Sequence, residues 1–273
     1  MTIYVPGKVT LAKEFTWNES IWNPSMLSTA LWLDAADAST ITESGGAVSQ
    51  WDDKSGNGRN AAQSDAFHQP QYVTEVLNGR PVLRFSSSTF KYLITTSFFG
   101  TATQRSVFSV NTYLPSPTYQ YVWHQDSAQL GGAALVFRAQ ANFSDWLAND
   151  TIAWADGYDS GRSPRFISSG VTGSGSAAIH GLALGSQESV LRVNGTSSTA
   201  RVQLTAAWPN VARRFSVGRS TQSLQGDVAE IVYIDGPVPT TTRQKLEGYL
   251  AHKWGLTANL PNDHPYKLVG PTP

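Results

Sequence analysis

Between Gly226 and Ile234 the chain reads GDVAEIVYI, apolar at six of its nine positions. In an extended strand Val228, Val232 and Ile234 fall on one face and Ala229, Ile231 and Tyr233 on the other. Apolar residues on both faces predict a strand covered from both sides, as in the middle of a sandwich. Gly236, Pro237 and Pro239 stop it. The period then changes: Leu246, Tyr249, Leu250 and Trp254 recur at i, i+3, i+4 and i+8, the apolar stripe of a helix over about 241–254. Thr241 and Gln244 have capping-box spacing at its start, and Gly255 supplies the stop.

Elsewhere the pattern is short and alternating. Strands are predicted at 31–33, 48–51, 79–85, 106–114, 119–126, 134–140, 145–148, 151–156, 165–171 and 177–185. VLRVNGTSSTARV reads as a hairpin, with Asn194–Gly195 suited to a type I′ turn. The 213–220 strand is predicted to pair with the Gly226 strand. Many short strands and one terminal helix specify an all-β antiparallel sandwich. Nothing divides residues 28–273, which form one domain. Residues 1–27 differ: Pro6, Gly7 and Pro24 punctuate them, and Phe15, Trp17, Ile21 and Trp22 give apolar anchors without a period. Such an extended arm either lies on its own domain or docks onto a partner through those aromatics.

Composition narrows the function classes. Lys+Arg and Asp+Glu balance at 20 each, so the basic excess of a nucleic-acid surface is missing. A charged fraction of only 15%, with 23 Gly and 30 aromatic residues (11 Phe, 9 Trp, 10 Tyr), suits a turn-rich β-protein. Without cysteine there are no disulfides and no thiolate metal sites. MTIYVPGKVTLAKEF has neither the basic start nor the apolar core of a signal peptide, and no apolar run spans a bilayer. Synthesis in a host cytoplasm is the expectation.

LWLDAADAST, VSQWDDKSGNGRNA, NGRPVLRF, the LRVNG hairpin, GDVAEIVYI and RQKLEGYLAHKWGL together resemble the laminin-G-like branch of the concanavalin A-like lectin/glucanase superfamily. Within it they are similar to versions carried by bacteriophage structural proteins and secreted bacterial adhesins. The resemblance covers about residues 28–267, through the LPNDHPYK tail. It implies a jelly-roll of two packed antiparallel sheets, and it fixes no function, because this fold hosts lectins, hydrolases and inert modules.

A glycosidase needs two carboxylates on one cleft. Asp227 and Glu230, three apart on a strand, are expected on opposite faces, and Glu230 is read as a structural carboxylate paired with an Arg. No G-x-S-x-G elbow, HExxH or P-loop occurs, and the chain is read as a non-enzyme. His252 and His264 are read as surface or capping residues. Asp52, Asp53 and Asn57 offer oxygens of the kind calcium takes, against a turn bonded to itself; no cofactor is expected, calcium being the alternative. Trp123–His124–Gln125–Asp126 and Trp154–Ala155–Asp156–Gly157–Tyr158 combine an aromatic face with hydroxyl-binding groups. Trp123, His124, Asp126, Trp154, Asp156 and Tyr158 are therefore candidate glycan-binding residues, the alternative being core tryptophans beside turns. A lectin-like fold without an export signal fits a bacteriophage virion protein, a head decoration or tail component, docked to virion proteins by Phe15, Trp17, Ile21 and Trp22. A homo-oligomer is expected there, since an apolar arm suits exchange between protomers. The alternative is an adhesin or receptor-binding protein that recognises bacterial surface polysaccharide.

Overall fold

The computed structural model describes residues 22–97, 99–102, 104–114, 120–126, 134–138, 151–156, 165–172, 175–184, 188–197, 202–203, 212–218 and 224–273, with the backbone path alone for 87, 126, 134–138, 151–156, 165–172, 188–189 and 202–203. The first strands are β1 (Leu31–Asp34), β2 (Ile41–Ser44), β3 (Ala47–Trp51), β4 (Ala61–Ala62), β5 (Gln71–Leu77) and β6 (Arg80–Phe85). Then come β7 (Tyr92–Thr95), β8 (Arg105–Asn111), β9 (Gln120–Asp126), β10 (Ala134–Arg138), β11 (Thr151–Asp156) and β12 (Arg165–Thr172). The last are β13 (Ala178–Leu184), β14 (Glu188–Val193), β15 (Thr196–Ser197), β16 (Val202–Gln203), β17 (Arg214–Gly218) and β18 (Gly226–Ile234), before helix α1 (Thr240–Trp254).

The strands form two antiparallel sheets. In the first, β18 lies between β8 on one side and, on the other, β6 at its start and β1 along its end. β5 extends this sheet beyond β6, and β13 then β14 extend it beyond β8. The second sheet runs β3, β4, β7, β17, β9, β10, β11, β12. A pairing of Ala47 with Gln71 joins the two at one edge. The sequence expectation that the 213–220 strand pairs with β18 does not hold. β17 lies in the second sheet between β7 and β9, so the chain crosses from one sheet to the other before β18. Asn194 and Gly195 both take left-handed backbone angles (φ 51° and 83°), the turn that the Asn-Gly pair predicts.

Two cores result, one on each face of the first sheet. Between the sheets, Leu31, Leu33, Leu83, Ile231 and Tyr233 meet Trp51, Leu93, Trp123, Phe215 and Val217. On the other face, Trp32, Phe108, Val110, Ala229 and Val232 lie under Leu246, Tyr249, Leu250 and Trp254 of α1. Burying each large side chain contributes roughly 1.5–3 kcal/mol, so α1 is the third layer of the fold. Trp22 joins this second core: it is 5% exposed, sits edge-on to Tyr249 (6.4 Å between centroids), and its amide donates to the Pro271 carbonyl. This expected docking anchor is thus held by its own domain; Phe15, Trp17 and Ile21 lie outside the described residues.

Strict alternation fails in the middle of β18. Its register against β8 shifts between Val228 and Glu230, a bulge that advances the chain by one residue. Val228, Ile231 and Tyr233 therefore face the inter-sheet core, while Ala229 and Val232 face the helix. Ile231 and Tyr233 are on the face opposite to that expected from Ala229. The helix begins two residues before the capping-box expectation: Pro239 rather than Thr241 is the N-cap, Thr240 is already helical, and no side chain caps the first turn. Gly255 ends it in the left-handed region (φ 71°). Among the described residues no helix is long and apolar enough to cross a membrane.

Candidate functional site

Trp123, the first tryptophan expected to present a sugar-binding face, is 1% exposed and stacks on Phe215 at 5.5 Å and 21°. β9 is flanked by β17 and β10 and faces the first sheet, which leaves Trp123 in the core rather than on the rim. His124 is half-buried, edge-on to Tyr121. The side chains of Asp126, Trp154 and Asp156, and all of Tyr158, lie outside the described residues; the backbone pairs Trp154 with Leu135 and Ile167, and Asp156 with Arg165.

The two carboxylates weighed as a hydrolytic pair, Asp227 and Glu230, are engaged in ion pairs. The bulge turns Glu230 toward α1, where it accepts hydrogen bonds from Trp32 Nε1 (2.7 Å), Trp254 Nε1 (2.7 Å), Tyr249 Oη (3.1 Å) and Lys253 Nζ (2.8 Å). Its cationic partner is a lysine, not the expected arginine. Asp227, on the same face because of the bulge rather than the opposite one, is held by Arg84 through Nε (2.7 Å) and Nη2 (2.9 Å). Lys253 also reaches Asp34 (2.6 Å), which Lys54 approaches at 2.9 Å while bridging to Asp37 at 2.8 Å. Burial tends to raise the Asp34 carboxyl, but the Lys253 and Lys54 ammoniums together hold it below its ordinary value. Burial, reinforced by Asp34, holds Glu230 above its ordinary value against the pull of Lys253.

The LWLDAADAST and WDDKSGNGR segments thus meet as one joint. Asp53 accepts from the amides of Trp32, Ser55 and Arg59 and from the Ser55 hydroxyl, and Asn57 donates to the Thr29 carbonyl. Of the oxygens considered for calcium, those of Asp53 are taken up by the turn itself and by β1, and Asp52 accepts from Gln50 Nε2 at 2.7 Å. Among the described residues no group of three His, Asp or Glu side chains is assembled as a metal site. His264 is buried rather than superficial, with Nε2 3.2 Å from Glu247.

An exposed aromatic ledge lies instead where the sequence pattern gave no strand. Asp65 caps a single 3-10 turn, Ala66–His68, by accepting from the Phe67 amide at 3.0 Å. That turn lifts Phe67 into solvent, 61% exposed. The His68 ring stands edge-on to Phe67 (5.2 Å) and tilted against Tyr92 (5.8 Å). Lys91 ties the turn down, donating to the carbonyls of Phe67 (3.2 Å) and Gln69 (2.7 Å). Phe90, beside it, is 41% exposed and takes a left-handed backbone (φ 48°), a strained conformation for an aromatic residue. His68 Nδ1 lies 3.0 Å from the Thr89 carbonyl and must donate to it, so Nε2 of the neutral ring is an acceptor. The ledge therefore offers two exposed aromatic rings, a fixed imidazole acceptor and the Asp65 carboxylate. The sequence carried one signal for it: Phe67 sits in SDAFHQP, a polar turn segment with no apolar face to join.

No family model matches the chain, and no curated protein matches it by sequence. Its fold, however, is similar to that of solved binding domains. The botulinum neurotoxin serotype D binding domain superposes over 81% of this chain with a TM-score of 0.55 at 12% identity. The binding domain of Paraclostridial Mosquitocidal Protein 1 does so over 81%, also with TM-score 0.55 and 12% identity. A serotype D ligand-binding domain in complex with N-acetylneuraminic acid does so over 81%, with TM-score 0.54 and 12% identity. This chain spans about half the length of these structures, 50%, 52% and 50% respectively. The shared architecture is an antiparallel β-sandwich; here a single described α-helix, at the C-terminal end, packs on it.

Proposed function

We propose that this protein is a non-catalytic carbohydrate-recognition module that engages surface glycans through the Phe67 ledge. The observation that carries the reading is an exposed Phe67 ring with a hydrogen-bonding imidazole and a carboxylate beside it, and the exposed, strained Phe90 next to the lysine that holds the turn. Aromatic faces receive the C–H face of a sugar ring, and His68 Nε2 and Asp65 accept from its hydroxyls. The engagement of Asp34, Asp227 and Glu230 in ion pairs supports a binding role over hydrolysis. A structural neighbour that takes N-acetylneuraminic acid supports the ligand class.

The test is retention of the protein on bacterial surface polysaccharide, compared with Phe67→Ala and His68→Ala variants. We expect about tenfold weaker binding for Phe67→Ala, equivalent to about 1.4 kcal/mol. Unchanged binding in both variants removes the ledge as the site. A virion setting rests on sequence expectations alone. Copy number per gradient-purified particle tests it, and absence from particles removes the setting without touching the recognition reading.

A further inference from the structure

The outer face of the first sheet holds a second, chemically different concavity. Where α1 begins, three neighbouring strands present two rows of side chains in lateral register. Ser106, Ala183 and Val190 form one row, and Phe108, Gly181 and Arg192 the other. The middle strand contributes only a methyl group and a hydrogen, so a hollow of about 180 Å³ opens between its larger neighbours. Gly181 lets the Phe108 ring lie close: a Cβ there would stand 3.1 Å from that ring, which would have to give by a few tenths of an ångström. Val238, Thr240 and Arg243, from the approach to α1 and its first turn, wall the remaining side.

Three observations give the hollow a charge preference. Two guanidinium groups line it, Arg192 and Arg243. Arg243 gives one terminal nitrogen, Nη1, to Glu247 (2.8 and 2.6 Å), and among the described residues its other N–H groups have no partner. The first turn of the 15-residue α1 borders the hollow without a side-chain cap, which leaves the positive end of the helix and its first amides open. Independently, Ser106 is only 4% exposed, lines the hollow, and its hydroxyl has no partner among the described residues. The hydroxyl of this nearly buried residue is thus turned into the hollow and open to a hydrogen bond from whatever occupies it.

We infer that this hollow is a subsite for a carboxylate-bearing sugar residue, the carboxylate lying between Arg192, Arg243 and the α1 N-terminus. Phe108, Val190 and Val238 receive the apolar side of the ring, and the Ser106 and Thr240 hydroxyls meet its hydroxyl groups. The hollow is smaller than the roughly 300–1,000 Å³ of drug-sized pockets, which suits one sugar unit rather than an oligosaccharide. This inference rests on the carbohydrate reading above but uses residues separate from the Phe67 ledge.

The experiment is titration of the full chain, by NMR or calorimetry, with D-glucuronic acid, N-acetylneuraminic acid, D-glucose and inorganic phosphate. Ala183→Phe fills the hollow from the middle strand without touching either the inter-sheet core or the ledge. Arg192→Gln removes a guanidinium and keeps the volume. Expected is saturable binding of an acidic sugar at least tenfold tighter than that of glucose or phosphate, lost in Ala183→Phe and weakened in Arg192→Gln. Unfolding temperatures of both variants confirm that the fold is kept. Glucose bound as well as glucuronic acid, or phosphate bound as well as either, overturns the inference. So does acidic-sugar binding that survives Ala183→Phe; if Phe67→Ala abolishes that binding, the carbohydrate reading stands and only the hollow fails. Absence of binding to any sugar or to polysaccharide removes both.

Discussion

The outer face of the first sheet divides into two halves built on opposite plans. Under α1, β1 and β18 present Trp32, Val232 and Glu230, and the helix answers with Leu250, Lys253 and Trp254, so that the space is filled and its charges are paired. Beyond the helix start, β8 and β13 present Ser106 and Ala183, with Gly181 beside them under the edge of the Phe108 ring, and a hollow remains there. One sheet, with one twist and one hydrogen-bond ladder, is closed in the first half and open in the second. Side-chain size on the middle strand decides between them, because the backbone spacing is common to both. The opening is confined to one face. On the inner face of the same strand His180 is 2% exposed, with Nδ1 2.9 Å from Asn111 Oδ1, which also accepts from Ser109 Oγ at 3.0 Å.

The contrast breaks most severely at Lys253. Lys253→Ala leaves Asp34 and Glu230 buried without their shared cation, and denaturant unfolding should show a loss of about 3–5 kcal/mol. A loss below about 1 kcal/mol would mean that the charges contribute little to holding the helix. Truncating a packed residue in the closed half, Leu250→Ala, should cost about 2–5 kcal/mol. Val190→Ala, in the open half, should stay within about 0.5 kcal/mol, as for a partly exposed position. Equal costs at the two positions would erase the distinction.

The inner face gives a pH-dependent test. Burial pushes the His180 imidazole down from 6.5 to about 3, so the folded protein keeps it neutral while the unfolded chain takes up a proton. Stability should therefore fall as pH drops through this window, by up to about 1.4 kcal/mol per pH unit and about 3 kcal/mol between pH 7 and 4. Asp34, held below its ordinary value, adds loss in the same sense at still lower pH, below the range where its unfolded carboxyl titrates. Glu230, held above its ordinary value, acts in the opposite sense. The difference between wild type and His180→Gln isolates the histidine: the variant's stability should be flatter over pH 7 to 4, and identical slopes would show that the imidazole is not held neutral. The smallest expected effect is on stability in Ala183→Phe, less than about 1 kcal/mol, since its side chain enters an open space.

Much of the architecture was legible because periodicity is a local property. The two-sided burial of β18, the Leu246–Tyr249–Leu250–Trp254 stripe, the Gly255 stop and the Asn194–Gly195 turn all follow from residues a few positions apart. The errors came where distant segments decide. Asp227 and Glu230 share a face because β8 imposes a bulge that no count along β18 reveals. β17 joins β7 and β9 rather than its sequence neighbour, since the chain changes sheets before β18. Trp123 has two readings from its neighbours, a sugar-binding face at a strand end or a core tryptophan beside a turn, and only the facing sheet decides for the core. The capping box at Thr241 gave way to a helix that starts at Thr240 after Pro239.

The sequence by itself determined the class of fold, the position of the helix and the exclusion of cysteine chemistry, since each depends on composition or local period. Only the tertiary structure decided which carboxylates are buried, which aromatic rings meet solvent, and where a hollow remains. Phe67 is exposed because Asp65 and Lys91 hold its turn away from both cores. The hollow exists because Gly181 and Ala183 happen to stand beside Ser106, Phe108 and Arg192 across two strand pairings. Such neighbours are far apart in the chain, and packing, not pattern, brings them together.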